Sequence, residues 1–217
     1  MTDALRNELV RVGRSLFARG YVHASAGNLS AHTEGGTLIT PTDACLGFLD
    51  PAQLAFVDSA GVQQSGARAS KTLALHRAIY AADTAARCVL HTHSTHLVAL
   101  TLAGVWSEAN VLPPITPYFV MKVGHVPLVP YRRPGDPAVA RCVASLIAQG
   151  RARGTPIRAV LLDRLGPVVW HETPAAAMAV LEELEETARL WLMTNPKPSP
   201  LTEQQLAELR AQFGAAW

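Results

Sequence analysis

Apolar residues recur every three to four positions near the start of the chain, at Leu5, Leu9, Val10, Val12, Leu16 and Phe17. That spacing predicts an amphipathic helix over residues 4–19, closed by Gly20. Beyond it the period shortens. The stretch ASAGNLS at 24–30 reads as a turn entering a strand that ends near Ala31 and His32. Glu34-Gly35-Gly36 is a hairpin turn, and Thr37 to Thr40 is the returning strand. Residues 54–57 predict a further short strand before a turn at Gly61. Ser70 is placed to cap a helix over 71–82, with Leu73, Leu75, His76, Ile79 and Tyr80 on its apolar side. His76 on that side reads as a structural, hydrogen-bonded histidine.

The second half repeats the mixture. Residues 87–90 read as a short buried strand with His91-Thr92-His93 at its end, and Ser94 reads as the cap of a helix through Leu97 and Leu100. A proline-rich loop at 110–118 precedes a strand at 126–129. Helices are predicted over 137–149, stopped by Gly150, over 174–193, and over 201–213 after a linker at 196–200. Strands at 159–162 and 168–170 flank a turn at Gly166-Pro167. Glu182, Glu183, Glu185 and Glu186 mark a wet face on the long helix. Helices and hairpins in this order predict an α/β fold, a three-layer α/β/α sandwich around a mostly antiparallel sheet.

Composition narrows the function classes. At 217 residues and 49% hydrophobic, the chain has material for one sizeable core, so residues 1–217 read as a single domain. A net charge of +2, without a basic stripe, argues against nucleic acid and against a membrane surface. No apolar run is long enough for a bilayer, and the first residues carry acids where a signal peptide is apolar. Cys45, Cys88 and Cys142 are scattered and odd in number, as in a reducing, cytoplasmic compartment.

Four short stretches carry chemistry. His91 and His93 alternate onto one strand face and can present two imidazoles to one divalent metal, although a pair of core or surface histidines has the same spacing. Gly27-Asn28 offers close backbone approach and an amide donor, the start of an anion site or a plain turn. Ser70-Lys71 before a helix brings a hydroxyl, an ammonium and helical N–H groups together, or is an ordinary cap beside a solvated lysine. Thr40-Pro41-Thr42 adds a hydroxyl after a strand, with the same two readings.

The order of these stretches is more specific than any one of them. Gly27-Asn28-Leu29-Ser30, Thr40-Pro41-Thr42, Ser70-Lys71 ahead of His76, and the run from His91 to His96 together resemble the class II aldolase/adducin family, from the first helix to about Trp170. The segment LPPITPYFVMKVGHVPLVPYRRPGD at 112–136 is similar to its sugar-acid branch, the 3-oxo-tetronate 4-phosphate decarboxylases. The resemblance implies that Asn28, Thr42, Ser70 and Lys71 hold a substrate phosphate. It implies that His91 and His93 bind zinc or a similar divalent metal. It implies a homotetramer in which the loop of Tyr118 reaches a subunit boundary; Tyr118 and Lys122 are the candidates for returning a proton.

Two positions depart from the family pattern. Thr72 stands where the aldolases and epimerases carry a carboxylate that moves protons, and its hydroxyl cannot do so at neutral pH. Decarboxylation of a β-keto acid needs no such base, because carbon dioxide leaves and the electrons pass into an enediolate a metal can stabilise. Leu165 stands where a third histidine ligand is usual, so His96, His125 or His171 would have to replace it, or Arg164 supply the missing cation. Three functions remain: a metal-dependent decarboxylating lyase, a lapsed member that only binds a metabolite or partner, and an aldolase or epimerase with another proton carrier.

Overall fold

The computed structural model of the chain describes residues 2–217, and its strands form one eight-stranded sheet. They are β1 (Asn28–Thr33), β2 (Gly36–Ile39), β3 (Ala55–Asp58), β4 (Gln63–Ser65), β5 (Cys88–His91), β6 (Leu128–Val129), β7 (Ala159–Leu162) and β8 (Gly166–His171). Their spatial order is β4-β3-β2-β1-β5-β8-β7-β6, antiparallel throughout except where β6 meets β7. Alternate side chains feed two apolar clusters. Cys88 and Leu90 of β5 enter one, and Val89 the other; Leu161 and Val160 of β7 divide in the same way.

Helices cover both faces. α1 (Thr2–Ala18), α3 (Thr95–Ala103) and α5 (Pro174–Met193) close the first cluster, and α2 (Leu73–Ala82) and α4 (Pro137–Ala152) the second. α6 (Glu203–Phe213) lies against a helical turn at Phe119–Val123. This is the expected α/β/α sandwich. Among the described residues no helix is long and apolar enough to cross a membrane.

Several local expectations change. α2 starts at Leu73, so Ser70 is not its cap; the cap position belongs to Thr72, whose side chain is engaged elsewhere. α4 runs through Gly150 to Ala152, because a side chain there would crowd the Thr155 carbonyl and glycine lets the returning chain pack close. α6 begins at Glu203 behind a capping box of Thr202 and Gln205. The exposed edge strand β4, polar on every residue, gave no period to find.

Glu185 is a correction with structural weight. It is buried rather than on the wet face. Its carboxylate accepts the backbone N–H groups of His96 at 2.9 Å and Leu97 at 3.0 Å, and the His96 ring at 2.8 Å. It thus caps α3 from a distant helix, where Ser94 provides no side-chain cap. A carboxylate at a helix N-terminus contributes about 1 kcal/mol or more when partly buried. The consequence is a fixed corner between β5 and α3, which carries His93.

Candidate active site

The strand ends of β1 and β5, the start of α2 and the start of α4 surround a cavity of about 380 Å³. Asn28, Thr42, Ser70, Lys71, His91 and His93 all line it. The sheet explains the convergence. Asn28 pairs with His91 across the β1–β5 ladder, and both project toward the α2–α4 side. Two glycines let the strand ends close up. Gly27 has φ of +83°, and a Cβ there would sit 2.8 Å from the His91 carbonyl oxygen. Gly166 has φ of +112°, and a Cβ would come within 2.3 Å of the Thr92 carbonyl oxygen. Neither position tolerates a side chain without moving the histidine corner.

The histidines are arranged as neutral ligands. His91 Nδ1–H donates to the Pro167 carbonyl at 2.9 Å, which leaves the Nε2 lone pair available. Burial, with His93 nearby, pushes His91 down to about 4; His93 is lowered by burial and by His23. Their ring centroids are 5.1 Å apart. An uncharged imidazole pair, one already oriented by a carbonyl, fits a divalent transition metal. Among the described residues no group of three His, Cys, Asp or Glu is assembled as a metal cage.

The proposed stand-ins for a third ligand are elsewhere. His96 is tied to Glu185, His125 stacks on Trp217 with centroids 4.2 Å apart, and His171 accepts from Arg158 at 2.7 Å. Arg164 is exposed and does not line the cavity, whereas Leu165 does. A further imidazole, with no role in the sequence reading, stands beside His93: exposed His23, its centroid 6.5 Å from that of His93. Arg133, just before α4, also had no assigned role; it lines the cavity and adds a cation there. Its signal lay in the Arg-Arg-Pro-Gly-Asp run that opens the helix; His23 stood only as a loop histidine ahead of the glycine turn.

Tyr118 and Lys122 are not brought to this cavity. Tyr118 precedes the turn at Phe119–Val123 and Lys122 lies within it, both exposed, while Phe119 and Val123 pack into the cluster on the opposite side of the sheet. The proline loop delivers its apolar residues inward and leaves these two polar side chains outside.

Asn28 is held by α2. Thr72 Oγ1 donates to Asn28 Oδ1 at 2.8 Å, and His76 Nε2 lies 2.6 Å from the same oxygen. Ser70 Oγ lies 2.9 Å from Thr72 Oγ1. His76 is the structural histidine expected, fully buried, and burial with His91 nearby pushes it down to about 3. Folded His76 stays neutral, whereas the unfolded residue protonates near 6.5. The unfolded chain therefore binds more protons between those values, and stability falls as pH drops through that window. This one residue contributes up to about 1.4 kcal/mol per pH unit. Urea midpoints taken from pH 7 to pH 5 are expected to fall more steeply for the wild type than for His76→Gln; parallel slopes would show that His76 is not held neutral.

Comparison with known proteins identifies the family. The model of the class II aldolase and adducin N-terminal domain matches residues 7–192. A Cupriavidus necator protein named 3-oxo-tetronate 4-phosphate decarboxylase is 57% identical, over 98% of this chain and 97% of its own. An Escherichia coli protein of the same name is 43% identical, over 96% of each chain. The crystal structure of Escherichia coli YgbL superposes with a TM-score of 0.87 at 42% identity, covering 96% of this chain and 99% of that one. L-Fuculose-1-phosphate aldolase from Thermus thermophilus superposes with a TM-score of 0.72 at 28% identity, covering 89% and 98%. The chain therefore belongs to the class II aldolase and adducin family, as an enzyme of its lyase type.

Proposed function

We propose that this chain is a metal-dependent decarboxylase of a 3-oxo-tetronate 4-phosphate. The observation that carries the reading is one cavity lined at once by two neutral imidazoles and by Asn28, Thr42, Ser70 and Lys71. The names of the relatives at 57% and 43% identity support the substrate.

Asn28, Thr42 and Ser70 would donate to the phosphate oxygens, with Lys71 supplying charge. His91 and His93 would hold a divalent metal, zinc suiting the donor set, and the metal would supply Lewis-acid stabilisation of charge on a substrate oxygen. The C1–C2 bond breaks, the carboxylate leaves as carbon dioxide, the electron pair passes into the 3-oxo group, and C2 takes a proton to give a triose phosphate. No base is needed to start this sequence. Thr72 in the carboxylate's place therefore disfavours the aldolase reading, because its hydroxyl is committed to Asn28.

Tyr118 and Lys122, exposed and away from their own cavity, are the groups proposed to return the proton across a subunit boundary in a homotetramer. Three free cysteines support a reducing, cytoplasmic setting, and the single continuous sheet supports one domain over residues 1–217.

The test is turnover with synthetic 3-oxo-tetronate 4-phosphate, following carbon dioxide and triose phosphate, before and after chelation. One carbon dioxide per triose phosphate, abolished by chelator and restored by zinc, is expected. Cleavage without carbon dioxide would establish an aldolase instead, and no turnover in the metal-loaded protein would leave the lapsed, binding-only member.

A further inference from the structure

A line of buried polar groups runs behind the cavity wall and ends on Asn28. Tyr80 Oη lies 2.5 Å from Ser30 Oγ, Ser30 Oγ lies 2.6 Å from His76 Nδ1, and His76 Nε2 lies 2.6 Å from Asn28 Oδ1. Ser30 and His76 are fully buried and Tyr80 nearly so. None of them lines the cavity.

The chemistry of each group sets the direction of the line. Among the described residues Ser30 is the one group hydrogen-bonded to the Tyr80 hydroxyl, so the Tyr80 proton goes to Ser30. An unused hydroxyl proton at that depth would be costly. Ser30 must then donate to His76 Nδ1, and a neutral imidazole accepting at Nδ1 carries its proton on Nε2. That proton goes to Asn28 Oδ1, which Thr72 also approaches as a donor. The carbonyl side of the amide is thereby fully used and turned inward. The two N–H groups of Asn28 Nδ2 have no protein partner among the described residues and remain for the cavity.

We infer that His76 is a positioning residue: with Ser30 and Tyr80 behind it and Thr72 beside it, it locks the Asn28 amide with both hydrogens toward the substrate's anionic end. It acts on phosphate affinity and leaves the bond-breaking step alone. The line is one of donors with a fixed sense, so the site takes a group that accepts hydrogen bonds and rejects an ammonium at that point. The inference rests on the phosphate assignment made above.

The experiment measures inorganic phosphate affinity by calorimetry, and KM and kcat for the phosphorylated substrate, in wild type, His76→Leu, His76→Gln and Thr72→Val. Leucine removes the donor to Asn28 Oδ1; glutamine can return an N–H to the Nε2 position. His76→Leu is expected to weaken phosphate and raise KM by about tenfold or more, the size of one misplaced hydrogen bond to a charged group, with kcat within about threefold. His76→Gln is expected to recover most of the loss. Thr72→Val, which alters a rim residue rather than the core, is expected to weaken phosphate several-fold even if His76→Leu fails to fold. Unchanged phosphate affinity in Thr72→Val or in a folded His76→Leu would overturn the positioning role, as would a fall in kcat at constant KM. Failure of the wild type itself to bind phosphate would instead overturn the anion site and, with it, this inference.

Discussion

Replacing His93 by alanine is expected to leave a folded protein whose decarboxylation rate is lower by about 10³-fold or more and whose purified form holds little metal. A metal that stabilises developing charge on a substrate oxygen contributes several kcal/mol, and about 4 kcal/mol corresponds to that factor. His93 is the better probe of the pair, because it is only partly buried, whereas His91 is buried and bonded to the Pro167 carbonyl. Truncating His91 would mix lost chemistry with a lost contact between β5 and β8. Elemental analysis per chain, turnover with and without added zinc, and a thermal melt separate the effects. Retained turnover and retained metal in His93→Ala would remove the metal from the proposed function. Two histidines are an unusually small protein ligand set, so the wild-type metal stoichiometry is informative in itself.

The parts of this protein that were legible in its sequence are those governed by neighbours along the chain. Periodicity placed α5 at Pro174–Met193 and β7 at Ala159–Leu162 with the bounds observed. Strand alternation turned His91 and His93 the same way, and the glycine before Asn28 announced the close approach that the His91 carbonyl makes. What escaped was long-range. Thr72 reads as a lost catalytic position, yet it binds Asn28 from 44 residues away. Glu185 reads as one more solvated glutamate, yet it caps a helix that begins 90 residues earlier. No local pattern encodes either partner. Tyr118 and Lys122 were expected at a subunit boundary, and the turn that carries them packs on the other face of the sheet from this chain's own cavity. His23 had no period and no motif, and only the fold brings it beside His93.

Asn28→Asp is expected to weaken the phosphorylated substrate by about 10³-fold, against about 10- to 100-fold for Asn28→Ala. Both changes remove the amide donors, and a hydrogen bond to a charged group accounts for about 1.5–3 kcal/mol. Only aspartate adds a second penalty. One of its oxygens can keep the bonds to Thr72 and His76, which puts the other where Nδ2 stood, facing the anion. Two unit charges about 4 Å apart repel by about 4 kcal/mol in a partly shielded protein site, and solvent in an open cavity reduces this. The sum exceeds the loss of the donor alone, so the order of the two variants is diagnostic. At pH 8, with the carboxylate ionised, KM and inorganic phosphate affinity should rank wild type tightest, alanine next and aspartate weakest. The unphosphorylated 3-oxo-tetronate, which leaves that end of the cavity to water, should distinguish the three proteins far less. Equal binding by the aspartate and alanine variants would mean that no anion lies opposite Asn28, and the phosphate would have to be placed nearer Arg133 at the start of α4, the other cation lining the cavity besides Lys71.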